Sequence, residues 1–426
     1  VRVLLYGINY SPELTGCGKY TGEMAEWLAE RDADVTVVTA PPYYPAWRVQ
    51  TPHSSYRYRA EKHGRVEIVR CPLFVPRRAT GLKRILHLLS FAVSSLPVLL
   101  WLAVRQRPDV VLAIEPPFFG APAAWLAARL SGAMAWLHVQ DFEIDAAFEL
   151  GLLRSDRLRK LVLRAESALM QRFDRVTTIS EQMRRRLSAK HVSHARLQLF
   201  PNWVDLERIR PLPQRSGSTL YRYDDIVVLY SGNMGKKQGL ETLLEAARIL
   251  LAAGERRVRM LLCGDGVERE SLVAAAKGLT NVAFAPLVPA EDLNELLNAA
   301  DIHVLPQRAD AEDLAFPSKL TNMLASGRPV VATARANTQI AKVLEGCGVV
   351  VPPGDATALA ARLCELAGDV ARRRTLGAEG RRVAERLWDK NTVLTSAFAP
   401  FLAPAALGPP VADADFVVAN EAEVQS

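Results

Sequence analysis

Two lysines sit beside two glycines in the stretch LYSGNMGKKQGLETLLEAA, residues 229–247. A β-rich run leads into this turn and a helical run leads out of it. Gly232 and Gly235 let the backbone turn, and the helix starting near Gly239 offers oriented N–H groups to an anion. Lys236 and Lys237 add positive charge. A diphosphate suits such a loop, because its charge is spread over several oxygens. The Walker pattern GxxxxGK[ST] is absent, so this is another kind of phosphate loop. Further along, FPSKLTNMLASGRPVV (316–331) opens a second helix, with Pro317 in its first turn or Ser318 as its cap. Lys319 then lies in the first turn, where the helix dipole disfavours a cation. An anion beside it removes that penalty, which makes Lys319 the sharpest single ligand candidate.

Two more loops follow β-rich runs. In SPELTGCGKY (11–20), Gly16 and Gly18 open a helix and allow close backbone approach to an anion. In HVQDFEID (138–145), His138 and Gln140 alternate with Val139 and so share one side of a strand, with Asp141 at its exit. A polar trio at such an edge is a catalytic candidate, although a histidine in a strand is also a common core residue.

The elements that must position these loops alternate along the chain. VRVLLYGINY, DVTVVTA, RVEIVRCPL, DVVLAI, MAWLHVQD and RVTTIS read as strands separated by helices. The Pro-, Ser- and Arg-rich run 210–225 breaks the pattern. It restarts with IVVLYSG, RVRMLLCG, NVAFAP, IHVLP, PVVATA and GVVVPP, again with helices between them. This predicts an α/β fold of two Rossmann-like, doubly wound parallel sheets, with ligands at the C-terminal strand edges in a cleft between them. The expected domains are 1–210 and 226–380, joined by a linker at 211–225. A helix over 381–403 returns to the first domain, and 404–426 is a disordered tail.

Composition agrees with two soluble domains: 426 residues, 49% apolar and 23% charged. Five scattered cysteines, none in a CxxC pair, predict free thiols in a reducing cytosol. The N-terminal run reads as a buried strand and not a secretory signal. The net charge of +7 suits anionic partners. No aromatic interleaving or nucleic-acid motif accompanies it, so nucleic acid is not an expected partner. ILHLLSFAVSSLPVLLWLAV, 85–104, holds twenty residues without a charge between basic flanks. Strands on both sides argue against a spanning helix. It is either a buried crossover helix or a helix lying in the membrane interface, its basic flanks within 77–107 on lipid headgroups. DxD strings at Asp32/Asp34 and Asp413/Asp415 lie away from the expected cleft, and the HxxH at His191/His194 sits beside basic residues in a loop and reads as solvated, so no metal site is expected.

The order of SPELTG.G, HVQD, LFPNWVD, SGNMGKKQG, LLCGDG and PSKLTNMLASGRPVVAT resembles the GT-B retaining glycosyltransferases of family 4, up to about residue 402. Within that family it is most similar to bacterial enzymes of colanic-acid and related exopolysaccharide assembly. The resemblance implies transfer of a sugar, GDP-fucose or a UDP-sugar being the donor, to a lipid-diphosphate-linked saccharide at the cytoplasmic membrane face. It implies no cofactor. It assigns the donor diphosphate to Gly16, Gly18, Gly232, Asn233, Lys237, Ser318 and Lys319, and the nucleoside to Gly264, Asp265 and Asn322. Gln140 and Asp141 stand where many relatives have a His-Asp pair, with His138 displaced by two. Asn233 and Gln238 stand where relatives carry cations, and Leu314 and Asn322 where they carry glutamates. Asn233, Gln238 and Asn322 keep a non-catalytic nucleotide-sugar-binding subunit open as an alternative, and a GT-B-fold sugar epimerase is a second enzyme reading.

Overall fold

The computed structural model describes residues 1–402, apart from 14–15, 45, 77–80, 117, 143–155, 214–219, 223 and 309–317. It contains two compact units, Val1–Asn202 with the segment from Leu394, and Trp203–Val393.

The first unit is built on eight strands: β1 (Arg2–Tyr6), β2 (Asp34–Thr39), β3 (Arg59–His63), β4 (Val66–Arg70), β5 (Val110–Glu115), β6 (Met134–Val139), β7 (Arg175–Thr178) and β8 (Leu197–Leu199). Their order in the sheet is β3-β4-β2-β1-β5-β6-β7-β8. Every pairing is parallel except β3 with β4, a hairpin at the edge. Such a sheet needs helices on its faces, because its apolar strands have no wet side. These are α1 (Gly16–Glu30), α2 (Gly81–Gln106), α3 (Ala121–Ser131), α4 (Asp156–Met170) and α5 (Glu181–Ala189). Every residue of β5 is buried. Strand order reverses at β1, which has β2 on one side and β5 on the other. That is where an open α/β sheet leaves a crevice at its carboxyl edge.

The second unit repeats the plan with six parallel strands, in the order β11-β10-β9-β12-β13-β14. They are β9 (Ile226–Ser231), β10 (Val258–Cys263), β11 (Val282–Ala285), β12 (Ile302–Leu305), β13 (Val330–Thr333) and β14 (Gly348–Val351). Helices α6 (Glu241–Ala252), α7 (Arg269–Ala275), α8 (Leu293–Ala299), α9 (Ser318–Ala325), α10 (Gln339–Leu344), α11 (Ala356–Gly368) and α12 (Val370–Trp388) accompany them. Here the reversal lies at β9, between β10 and β12.

The boundaries differ from those expected. The first unit ends at Asn202 and not near 210. The reason is local: Val204 bridges Asp389, and the Lys390 ammonium reaches the Asp205 carboxylate at 2.5 Å. Both contacts tie 203–205 to the second unit. Part of the expected linker is packed as well, since Leu212 N donates to Asn298 Oδ1 at 2.8 Å. The expected single helix over 381–403 is two, α12 and α13 (Lys390–Phe398), broken at Asp389. Residues from Leu394 belong to the first unit, where Phe398 packs on Trp136 at 5.1 Å and Arg175 donates to Ala397 O at 2.6 Å. The expected tail, 404–426, lies outside the described residues.

Candidate functional site

In the second unit the loops after β9 and β10 run side by side past the strand ends. Gly232 N donates to Cys263 O at 2.8 Å, and Met234 N donates to Asp265 O at 2.7 Å. The two backbones touch: a Cβ on Gly264 would lie 1.9 Å from Gly232 O. Gly232 has φ +134, and its own Cβ would fall 2.3 Å from Lys319 Nζ. Glycine here therefore makes room for the lysine. Lys319 reaches this spot from the first turn of α9. Its Nζ lies 3.0 Å from Tyr230 Oη and 4.7 Å from the centre of that ring. The Tyr230 hydroxyl in turn donates to Asn233 O. Burial lowers the Lys319 pKa to about 8. A partly desolvated ammonium beside a glycine turn, at the carboxyl edge of the sheet, is chemically suited to pair with an anion.

The other candidates in this unit take different parts. Asn233, Lys236 and Lys237 are exposed. The two lysines lie in a short 3-10 turn, Lys236–Gln238, whose Gln238 Oε1 accepts from Gly235 N at 3.1 Å. The amide of Gln238 thus caps its own turn. Lys237 O accepts from Arg308 N at 3.2 Å, and Arg308 pairs with Glu241 at 3.2 Å. Lys236 lines a cleft of about 400 Å³ together with Glu241, Arg248, Glu268 and Arg308. Asp265 is exposed, and its Oδ1 accepts from Gly266 N at 2.8 Å. Asn322 is half-buried one turn beyond Lys319 on α9, and Ser318 is the first residue of that helix.

In the first unit the loop after β1 is organised by Glu13, which sequence reasoning passed over. Its carboxylate is buried and accepts from Tyr43 N and Tyr44 N at 3.0 Å each, and from Asn9 Nδ2 at 2.8 Å. Burial pushes its pKa up, while these three N–H donors pull it down. Gly18 packs against it: a Cβ there would lie 2.8 Å from Glu13 Cβ. Packing against Glu13 therefore accounts for a glycine at 18 without a ligand. Gly16 is exposed at the start of α1 with φ +60. Next to it, Cys17 Sγ lies 3.5 Å from Gln140 Oε1, so the loops after β1 and β6 do meet. Asp141 is exposed, its Oδ1 accepting from Phe142 N at 2.8 Å.

His138 is a correction. It is 2% exposed, packs on Phe200 at 4.8 Å and shares a 3.0 Å hydrogen bond with Thr177 Oγ1. Burial lowers its pKa to about 3, so the ring is neutral at ordinary pH. Strand β6 is central and covered on both faces, and the alternation that aligned His138 with Gln140 ends at Val139. His138 is core, and the candidate cluster at this edge is Gln140 with Asp141. In the turn before β2, Asp32 accepts from Arg65 at 2.8 Å.

Residues 15–203 match the family described as glycosyl transferase 4-like domain, and residues 225–369 match the glycosyl transferases group 1 family. The putative colanic acid biosynthesis glycosyl transferase WcaI of Escherichia coli K12 is 40% identical over 406 residues, covering 92% of this chain and 98% of that protein. The chain belongs to the GT-B glycosyltransferases. Among solved structures, sucrose-phosphate synthase from Thermosynechococcus elongatus superposes with a TM-score of 0.71 at 19% identity, over 94% of this chain and 98% of that one. Anabaena HepE, solved with UDP and glucose, superposes with a TM-score of 0.63 at 16% identity, over 93% and 98%. At those identities the likeness speaks for the fold alone. In this glycosyltransferase, Lys319, Gly232, Gly264 and Tyr230 form one constellation in the second unit. Gly16, Cys17 and Gln140 form another in the first, with Asp141 next in the chain.

Proposed function

We propose that this glycosyltransferase moves a sugar from a nucleoside diphosphate sugar to a lipid-diphosphate-linked saccharide, with retention, in bacterial exopolysaccharide assembly of the colanic-acid kind. The observation that carries the reading is the half-buried Lys319, its ammonium held at the Gly232 turn. In a retaining transfer on one face of the sugar, the departing phosphate oxygen takes the proton of the acceptor hydroxyl as the bond to it forms. The protein's task is then to stabilise charge growing on the diphosphate. Lys319 and the N-terminus of α9 suit that task, because a preorganised cation in a dry site needs little reorganisation. Asn322 supports the ribose through its amide, and Asp141 with Gln140 orients the sugar or acceptor. GDP-fucose is the first donor to try and UDP-sugars the next. Purified protein, lipid-linked acceptors and a panel of nucleotide sugars, with products read by mass and anomeric configuration by NMR, test the reading. Absence of both transfer and donor hydrolysis would instead favour the binding-subunit alternative, to which the uncharged Asn233 and Gln238 lend support.

The same reading places the chain on the inner face of the cytoplasmic membrane, and α2 supports this. The helix has 26 residues with a mean hydropathy of 2.0 over its most apolar window, yet only 33% of that window is buried. One face, with Phe91, Leu99 and Leu102, packs into the first unit. The opposite face leaves Leu82 (70%), Val93 (70%), Trp101 (58%) and Val104 (62%) exposed. Lys83, Arg84 and Arg105 lie at its ends. An apolar stripe between basic ends suits the headgroup boundary of an anionic bilayer. Flotation on phosphatidylglycerol vesicles tests it. A Val93→Glu variant that floats as wild type does would sink the idea.

A further inference from the structure

Tyr230 belongs to β9, and its ring is buried as an ordinary core residue would be. Its hydroxyl is not ordinary. That oxygen donates to Asn233 O, which spends its one proton on the turn that follows the strand. Its lone pairs then remain to accept, and Lys319 Nζ stands 3.0 Å away to donate. The ring face lies 4.7 Å from the same nitrogen, so Tyr230 touches the ammonium with both its oxygen and its π-system. On the other side Nζ abuts Gly232, where no side chain fits. A lysine side chain has four rotatable bonds and is otherwise a poorly placed point charge. Here one phenol fixes both the turn and the cation that serves it.

We propose that Tyr230 is a positioning residue for the donor diphosphate: it holds the Lys319 ammonium at the Gly232 turn and ties that turn to it through Asn233 O. The role rests on the reading of the site as a diphosphate site. It also explains how the loop functions without a cation at positions 233 and 238. The cation comes from α9, and Tyr230 is the link that registers it against the β9 turn. Of the three N–H bonds of an ammonium, one goes to Tyr230 and the others can meet phosphate oxygens. No proton moves in this arrangement, and the tyrosine never meets the sugar.

Tyr230→Phe keeps the ring and its packing while removing the hydroxyl. The first measurement is calorimetric binding of the nucleoside, the nucleoside diphosphate and the nucleotide sugar, with the melting temperature as a control. We expect nucleoside binding to be unchanged, nucleoside diphosphate binding to weaken by about tenfold, and kcat to fall by at least as much. Equal weakening of nucleoside and nucleoside diphosphate, or an unchanged kcat, would overturn the proposal and leave Tyr230 as packing. A second measurement needs no donor. In protein labelled with ¹⁵N-lysine, the Lys319 Nζ resonance is followed through its titration in wild type and in Tyr230→Phe. Loss of an acceptor for the charged form moves the midpoint down. A midpoint shift in a protein that binds no nucleotide sugar would refute the donor-site reading while keeping the Tyr230–Lys319 coupling. An unmoved midpoint would refute the coupling itself.

Discussion

Replacing Lys319 with methionine separates function from stability, because the same burial that makes the ammonium useful makes it costly. The folded pKa of about 8 lies below the 10.5 of a free lysine, and desolvation is the cause. The folded state therefore disfavours the charge. Below about pH 8 both states are protonated and the penalty is whole, on the order of 3 kcal/mol. Between about pH 8 and 10.5 the unfolded chain binds more proton than the native one, so stability rises with pH as the penalty is relieved. Lys319→Met removes the penalty and gives up the bond to Tyr230, for a net gain of roughly 1–3 kcal/mol at pH 7. Activity runs the other way. Losing one preorganised donor to developing phosphate charge costs about 10²- to 10³-fold in kcat. In the wild type kcat/KM stays flat up to about pH 8 and then falls, since the protonated lysine is the active form. Lys319→Arg carries a charge that does not titrate there, so its profile stays flat whatever its absolute rate. Urea unfolding and steady-state kinetics across pH 6–10 read both quantities. A methionine variant with wild-type kcat, or one less stable than the wild type at pH 7, would refute the reasoning.

Gly264→Ala drives a methyl group to within 1.9 Å of Gly232 O, so the paired loops must part. Nucleotide binding measured by calorimetry should drop below detection while the first unit keeps its fold. Glu13→Ala leaves the N–H groups of Tyr43 and Tyr44 without their acceptor and costs about 2–4 kcal/mol in denaturant unfolding, with Glu13→Gln costing less. His138 in the first unit and His303 in the second are both buried, with pKa values lowered to about 3. Below about pH 6.5 the unfolded chain takes up protons that these rings refuse. Each unit should then lose about 1.4 kcal/mol per pH unit down to about pH 3, full stability being present above about 6.5. His138→Gln should flatten that slope in the first unit alone, as followed by urea unfolding.

The alternation of apolar strands and helices made both sheets legible, because parallel strands buried on two faces read as short apolar runs with turn residues between them. Lys319 was legible for a different reason. A cation in the first turn of a helix contradicts the dipole, and only a ligand or an unusual neighbour resolves the contradiction. Tyr230 was not legible, since a tyrosine inside a strand fits β propensity and carries no local signal of what its hydroxyl meets on α9. Glu13 is masked in sequence by its neighbours: Gly16 and Gly18 read as an anion turn, although Gly18 packs against the Glu13 side chain. His138 misled through periodicity. Alternation assigns a side chain to a face but does not say whether that face is covered, and here it is. The α2 helix reads as either buried or interfacial, and it has one buried face and one exposed apolar face.

The amides of the β9 turn then have a physical account. Gln238 spends its carbonyl on Gly235 N, which closes the short 3-10 turn and leaves the lysines of that turn exposed. A lysine in place of Gln238 has no acceptor for that N–H and would open the cap. An arginine in place of Asn233 would put a second cation beside a turn that already meets Lys319. The guanidinium would stay charged and depress the protonation of Lys319 further. A cation at position 233 or 238 is therefore an alternative to the cation from α9, while Lys236 and Lys237 stay exposed on the turn. The sequence took the second course: amides close the turn, glycine at 232 opens the space, and the half-buried lysine fills it. Its burial sets the limit as well as the advantage. A cation with a pKa near 8, held among the described residues by the Tyr230 phenol, carries a desolvation penalty that an anion would relieve, so if the site takes the donor diphosphate the Lys319 pKa should rise back toward its free value on binding.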